Sequence, residues 1–323
     1  MASPSASSVC LSLDFAMEPQ QFMKALVRTD SGLQLTADCP VPQPGVGEVL
    51  IKVTAFSISS RDFTGLPGQI VGSGVAGRVV ALGEDVPAWR LGDVVIVDPG
   101  LGSGDGAGGL LGIDRDGGAA EFLVATAIDA CASSPSLGSD TLPLLAYYYS
   151  QAERVLTWSR LYSGETIIIL GAEQGSGPAA VELAALRGAR VYATAEEWAH
   201  PALEELGARQ VEKSADRLTV KQAHVVADFR IGCTSRDCLS NLVPDGVYVS
   251  FSGEIARTSG NPMSAIAEPD IFTMETLEHL ARMAEHGAIV PKPASIVDFS
   301  SLNDSLMELF NTRQIGPTVF RID

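Results

Sequence analysis

A chain of 323 residues with 46% hydrophobic, 19% charged and 6% aromatic residues should bury roughly three quarters of its unfolded surface, which implies one large or two medium globular domains and excludes a small stapled scaffold. Lys and Arg number 22 against 39 Asp and Glu, a net charge of −17, so nucleic acid and anionic membranes are repelled as partners. The five cysteines (Cys10, Cys39, Cys131, Cys233, Cys238) are odd in number and contain no Cys-x-x-Cys pair, a usage that fits a reducing compartment better than a disulfide framework.

Residues 1–22 are small and polar, lack a basic start and carry Asp14 inside their only apolar stretch, which reads as a loose N-terminal extension and not as a secretory signal. No apolar run reaches the roughly 18 residues of a membrane helix. A cytoplasmic protein is expected. From Met23 onward, short strands alternate with Gly and Pro turns. Glu48–Ala55 alternates with period two, Val75–Leu82 and Asp93–Val97 are rich in valine, and Glu121–Ala125 closes the series. Between the last two lies Pro99–Gly118, so dense in glycine that it reads as an irregular surface loop.

After about Thr141 strands and helices alternate. Thr166–Leu170 (TIIIL) is continuously apolar, as a strand buried on both faces requires, and leads through a glycine turn into an Ala-rich helix over Pro178–Arg187. Arg190–Ala193, His224–Ala227 and Val247–Phe251 repeat the strand theme. In Met274–Glu285, Leu277, Leu280, Ala281 and Ala284 share one helical face. This order is that of an α/β, doubly wound parallel sheet.

The turn after the first of these strands reads GAEQGSGPAA, with Gly171, Gly175 and Gly177 flanking Gln174 and Ser176. Two readings fit: a cradle whose helix N-terminus binds a dinucleotide diphosphate, or a tight corner with no ligand. Gln174 sets a long side chain, and Glu173 a negative charge, where the phosphates would lie. Glu196, about twenty residues on and followed by Glu197, suits the ribose hydroxyls of NAD and weakly favours NAD over NADP; solvated acids at a helix start are the other reading. Cys233 and Cys238 in CTSRDC have four intervening residues, a spacing seldom seen in zinc knuckles.

Taken in order, VPQPGVGEVLIKV (Val41–Val53), VAGRVVALGEDV (Val75–Val86), WRLGDVVIVDPG (Trp89–Gly100), DRDGGAAEFLV (Asp114–Val124), LARMAEHGAI (Leu280–Ile289) and a strand at Thr318–Arg321 resemble the medium-chain dehydrogenase/reductase superfamily, and its zinc-type alcohol dehydrogenase-like branch in particular. The resemblance implies a chaperonin-10-like β-rich domain over residues 23–145, completed by 292–323, around a Rossmann domain over 146–291. It also implies a homodimer. The zinc ligands depart from the pattern: Ser59 stands where a cysteine ligates, Ser73 and Gly74 stand for His and Glu, and Ala146 falls near another ligand position. A serine hydroxyl is a poor zinc ligand, and the cysteine-rich structural lobe is replaced by the glycine loop, so no zinc is expected.

Without a Lewis acid, charge on a substrate oxygen must be met by hydrogen-bond donors. Candidates are Tyr148, which by resemblance lies beside the nicotinamide, with Ser59, Arg61 and Asp62 of the former ligand turn; Tyr148 packing between domains and an Arg61–Asp62 ion pair are the structural alternatives. The expected function is a zinc-independent NAD(P)H oxidoreductase acting on an activated double bond, quinone or carbonyl of a small organic substrate, as in specialised metabolism. A non-redox enzyme or regulatory binding protein on the same fold is the alternative.

Overall fold

A computed structural model describes residues 21–100, 109–220, 222–230, 240–250, 264–266, 274–302 and 313–322. The N-terminal extension to residue 20 and the CTSRDC segment fall outside the described residues. Two sheets dominate. A six-stranded sheet has the order β10(Gln210–Glu212), β9(Arg190–Thr194), β8(Thr166–Leu170), β11(Ala223–Asp228), β12(Leu242–Ser250), β13(Ser264–Ile266), and every neighbouring pair is parallel. The chain runs outward from β8 to β10, then returns to β11 on the other side of β8. The point where the order reverses therefore lies between β8 and β11, where open α/β sheets present a ligand crevice.

All five residues of β8 are buried, as the unbroken apolar run requires of a strand covered on both faces. Three helices accompany this sheet: α3(Gly177–Leu186) after β8, α4(His200–Glu205) after β9, and α5(Met274–Glu285), whose Leu277, Leu280 and Ala281 are buried. Pro178 sits in the first turn of α3, where its missing N–H costs nothing, and Gly188 at φ +79° follows its end in the left-handed conformation that stops a helix.

The second sheet runs β14(Ser295–Asp298), β15(Thr318–Arg321), β3(Glu48–Ser57), β4(Gly74–Leu82), β5(Val94–Val97), β7(Ala130–Ala132), with β6(Phe122–Thr126) also paired to β3. Within β3 only Lys52 is exposed, in place of the expected alternation, because neighbouring strands and loops cover both faces of this strand. The C-terminal β14 and β15 join residues from the N-terminal third: Val319, Phe320 and Arg321 pair with Ser57, Phe56 and Ala55. A hairpin of β1(Phe22–Thr29) and β2(Gly32–Pro40) packs beside it through Met23, Ala25 and Leu26. Between the sheets the chain passes through α1(Leu142–Leu144), a π-helical turn at Leu145–Tyr149 and α2(Ser150–Trp158).

The glycine-rich segment is not simply a surface loop. Its described half enters the core: Leu111 is fully buried, and the N–H groups of Gly117, Gly118 and Ala119 donate to the carbonyls of Ile70, Gly72 and Val71. Glycine is required here for close approach, since a Cβ on Gly117 would lie 2.4 Å from the Val71 carbonyl oxygen.

Candidate active site

The strand-to-helix turn is built at glycine-only distances. Gly171 has φ +63°, and a Cβ on Gly177 would meet main-chain atoms of Ala172 at 2.6 to 2.9 Å, so α3 starts closer to β8 than any side chain allows. Four N–H groups of the turn are used internally: Gly171 to Thr194 Oγ1 (3.2 Å), Ala172 to the Thr194 carbonyl (2.9 Å), Gln174 to Gly171 (2.9 Å) and Gly177 to Gln174 (2.8 Å). The N–H groups of Glu173, Gly175 and Ser176 have no acceptor among the described residues. A Cβ on Gly175 would meet nothing within 4 Å, so open space lies beside these donors. Together with the N-terminal dipole of α3 they form a cradle for an anion.

Gln174 lies against its neighbour, with Nε2 donating to Glu173 Oε1 at 3.4 Å, while Glu173 Oε2 is buried without a partner. Three unmatched donors beside one unmatched acceptor suit a sugar-phosphate, whose phosphate oxygens accept and whose hydroxyls donate, better than a bare phosphate. The residues present thus fit a dinucleotide diphosphate. Glu196 and Glu197 are exposed just beyond the end of β9.

The turn that begins at Ser59 is a short 3-10 helix, Ser60–Phe63, closed by Asp62. Asp62 is fully buried and receives the Ser59 N–H (2.7 Å) and hydroxyl (2.9 Å) on Oδ2 and the Gly72 N–H on Oδ1 (2.7 Å). Burial pushes its carboxyl pKa up, against these donors and the nearby charge of Arg28, which all pull it down. The carboxylate is occupied by Ser59 and Gly72, whereas Arg61 is exposed and lies close enough to Tyr147 for its charge to act on that phenol. Ser73 donates to the Leu111 carbonyl at 2.8 Å. Sequence reasoning missed Arg28 altogether. It is buried on β1 and donates to the carbonyls of Asp62 (3.1 and 3.0 Å), Gly112 (2.7 Å) and Leu66 (3.1 Å) and to Gln69 Oε1 (3.1 Å), tying the hairpin, the Ser60–Phe63 turn and the glycine segment together.

The three tyrosines of the π-helical turn diverge. Tyr149 donates to Glu182 Oε2 at 2.5 Å, and Tyr148 donates to the Ile58 carbonyl at 2.9 Å; both line a lateral cavity of about 560 Å³ that also touches Pro178, Glu182, Lys292 and Pro317. Tyr148, expected as the donor to substrate, therefore spends its proton on the main chain. Tyr147 instead lies near the side chains of Ser59 and Gln151, and its ring meets Tyr148 edge-on at 5.1 Å. Burial raises its phenol pKa, partly offset by the Arg61 charge and by the polar side chains of Ser59 and Gln151. Of the three tyrosines of the π-helical turn, Tyr147 is the one whose phenol lies near the Ser59 side chain.

Gln151 also accepts the Ser176 hydroxyl on Oε1 at 2.5 Å. Ser176 thus donates to Gln151, and Ser59 donates to Asp62, while the Tyr147 phenol lies near the side chains of both Gln151 and Ser59. These residues connect the first residue before α3 with the Ser60–Phe63 turn. Among the described residues, no group of three His, Cys, Asp or Glu side chains converges as a metal site requires, and no described helix is long and apolar enough to cross a membrane.

Asp98 of the DPG segment accepts the Gly100 N–H at 2.9 Å, yet burial, reinforced by Asp129, pushes its pKa up to about 6. A folded-state pKa above the unfolded value means the native state holds the proton more tightly, so stability falls as pH rises from about 4 through 6. Asp98→Asn keeps the Oδ1 acceptor and should flatten that fall, raising stability at pH 7 by up to about 3 kcal/mol. Urea titrations of both proteins between pH 4 and 8 test this, and parallel curves would refute it.

A β-rich domain joined to a parallel α/β sheet with a glycine-turn cradle defines a class of two-domain nucleotide-dependent folds. The alcohol dehydrogenase GroES-like domain family matches residues 45–136. The NAD-dependent alcohol dehydrogenase of Sulfolobus acidocaldarius is 26% identical, covering 93% of this chain and 100% of its own. The chloroplastic quinone oxidoreductase QR1 of Triphysaria versicolor is 31% identical over 54% of each chain. The fold is shared with a thermostable alcohol dehydrogenase from Pyrobaculum aerophilum at a TM-score of 0.82, with 23% identity over 93% of this chain and 99% of the other. Residues 45–136 thus carry the alcohol dehydrogenase GroES-like domain, and over 93% of its length the chain is similar to an NAD-dependent alcohol dehydrogenase.

Proposed function

We propose that the protein is a zinc-independent, NAD(P)H-dependent oxidoreductase that reduces an activated double bond, quinone or carbonyl of a small organic molecule. The observation that carries this reading is the anion cradle at the start of α3 together with the Tyr147 phenol, which lies near both Gln151, the acceptor of the Ser176 hydroxyl, and Ser59, the donor to Asp62. The open N–H groups of Glu173, Gly175 and Ser176 hold the diphosphate, and Glu196 and Glu197 at the end of β9 disfavour a 2′-phosphate, so NAD is preferred to NADP. A reduced nicotinamide bound in the cleft supplies hydride to the substrate.

Tyr147 delivers the balancing proton to the substrate oxygen. Ser59 and Gln151 orient its hydroxyl, and the Arg61 charge stabilises the phenolate left behind. Ser59 and Ser73 are committed to Asp62 and Leu111, which supports a site that works through hydrogen bonds and not through a metal. The names of the relatives, an NAD-dependent dehydrogenase and a quinone oxidoreductase, support the same chemistry. Titration with NADH and NADPH, followed by nucleotide fluorescence and calorimetry, tests the reading. Saturable binding of NADH, tighter than NADPH by about tenfold, is expected from one mismatched charge. No binding of either at millimolar concentration would leave the non-redox alternative standing.

A further inference from the structure

Arg230 lies two residues beyond β11, directly across the reversal point from the glycine turn. Asp228 pairs with Leu170 in the sheet, the Phe229 N–H donates to the Leu170 carbonyl at 2.9 Å, and a Cβ on Gly171 would sit 2.6 Å from Arg230 Cγ. The stem of Arg230 thus crosses over Gly171, a second reason why only glycine fits there. Its head is fixed. Nε and Nη2 donate to the two oxygens of Asp228 at 2.8 and 2.7 Å, and the Arg230 N–H adds a third bond at 3.1 Å. Asp228 is 1% exposed and also takes the Tyr248 hydroxyl at 2.8 Å, while 29% of the Arg230 side chain stays exposed.

This arrangement is costly unless it serves a purpose. A diphosphate brings negative charge into a chain of net charge −17, beside the buried carboxylate of Glu173 and ahead of Glu196 and Glu197. A cation at the lip of the cradle offsets that repulsion. Left unrestrained, the Arg230 guanidinium could turn away from the Gly171 turn that its stem crosses. The two-point grip of Asp228, itself braced by Tyr248, holds the head in one orientation.

Resting on the dinucleotide reading above, we infer that Arg230, positioned by Asp228 and Tyr248, is the cationic anchor for the cofactor diphosphate. Asp228 and Tyr248 act through Arg230 and are positioning residues.

The test titrates wild-type, Arg230→Lys and Arg230→Gln proteins with NADH, ADP-ribose, ADP and adenosine at several salt concentrations. Arg230→Gln should weaken the three phosphate-bearing ligands by about 10- to 100-fold, the loss of one charge-assisted contact, and leave adenosine unchanged. Its plot of log Kd against log salt should be shallower, and Arg230→Lys should recover part of the affinity. As a check that needs no variant, ADP but not adenosine should protect Arg230 of the wild-type protein from phenylglyoxal, read by peptide mass spectrometry. Unaltered ADP-ribose binding in Arg230→Gln, an equal loss for adenosine, or equal labelling with and without ADP overturns the inference alone. Wild-type protein that binds none of the phosphate-bearing ligands overturns the dinucleotide reading and this assignment together.

Discussion

Tyr147→Phe is expected to lower kcat for reduction by about 100- to 10,000-fold, the range associated with loss of a general acid, with little change in the Kd for NADH. The substitution removes one oxygen and keeps the ring, so the edge-on contact with Tyr148 at 5.1 Å survives. Tyr148→Phe makes the contrasting control. Its hydroxyl donates to the Ile58 carbonyl, and losing that bond leaves a buried acceptor unmatched, at a cost of about 1 to 3 kcal/mol in stability, while turnover should hold within a few-fold. The pH profile separates the two further. Burial raises the Tyr147 pKa, so the proton is present throughout the neutral range and the rate should fall only as pH climbs through that raised value. Turnover of NADH with a panel of small quinones and enones measures both variants. Equal losses in kcat would defeat the assignment of roles.

Much of the architecture was legible because the segments that fix it carry unbroken patterns. TIIIL over Thr166–Leu170, the helix Met274–Glu285 and the closing strand Thr318–Arg321 all lie where apolar runs and helical periodicity put them. The glycine turn was legible too, since glycine signals positive φ and close approach; the helix there starts at Gly177, one residue before the expected Pro178. What escaped depends on contacts between distant residues. Arg28, next to a Thr-Asp-Ser-Gly hairpin, has the context of a surface residue, and its acceptors at Asp62, Leu66 and Gly112 are 34, 38 and 84 positions away. Nothing local marks it. The Asp228–Arg230 pair was missed for the opposite reason: the residues are close in sequence, but their meaning comes from Gly171 on the neighbouring strand.

The tyrosines were hard to read from sequence for a local reason. Three consecutive tyrosines offer no periodic clue to which one faces the cleft, because a helix points them about 100° apart and an inserted residue in a π turn rotates all that precede it. The nearness of Tyr147 to Ser59, and the hydrogen bond from Tyr148 to the Ile58 carbonyl, are what favour Tyr147 in the proposed site. Asp62 was singled out from the sequence as a candidate catalytic residue of the turn, with an Arg61–Asp62 ion pair as the structural alternative. Its partners are the N–H and hydroxyl of Ser59 and the N–H of Gly72, a capping arrangement that makes it the rigid floor under Ser59.

Gly177→Ala should cost both stability and cofactor binding, although alanine is the better helix former by about 1 kcal/mol. The added Cβ would stand 2.6 Å from the Ala172 carbonyl oxygen and 2.9 Å from two further main-chain atoms, none of which can turn aside as a side chain would. The start of α3 must therefore move away from β8, an overpacking cost of about 1 to 3 kcal/mol that outweighs the propensity gain. That movement also carries the Ser176 hydroxyl away from Gln151, loosening Tyr147, and displaces the N–H groups of Gly175 and Ser176. NADH affinity should drop by at least about tenfold, the equivalent of roughly 1.4 kcal/mol. Gly175→Ala supplies the opposite case. Its Cβ meets nothing within 4 Å, and its φ of +51° strains a non-glycine residue by about 1 to 2 kcal/mol. The new methyl group would stand in the open space beside the cradle, so affinity falls while Tyr147 stays in register. The two variants thus differ in kcat measured at saturating NADH: reduced in Gly177→Ala, preserved in Gly175→Ala. Wild-type melting and kcat in Gly177→Ala would mean that the spacing between helix and strand does not govern the phenol.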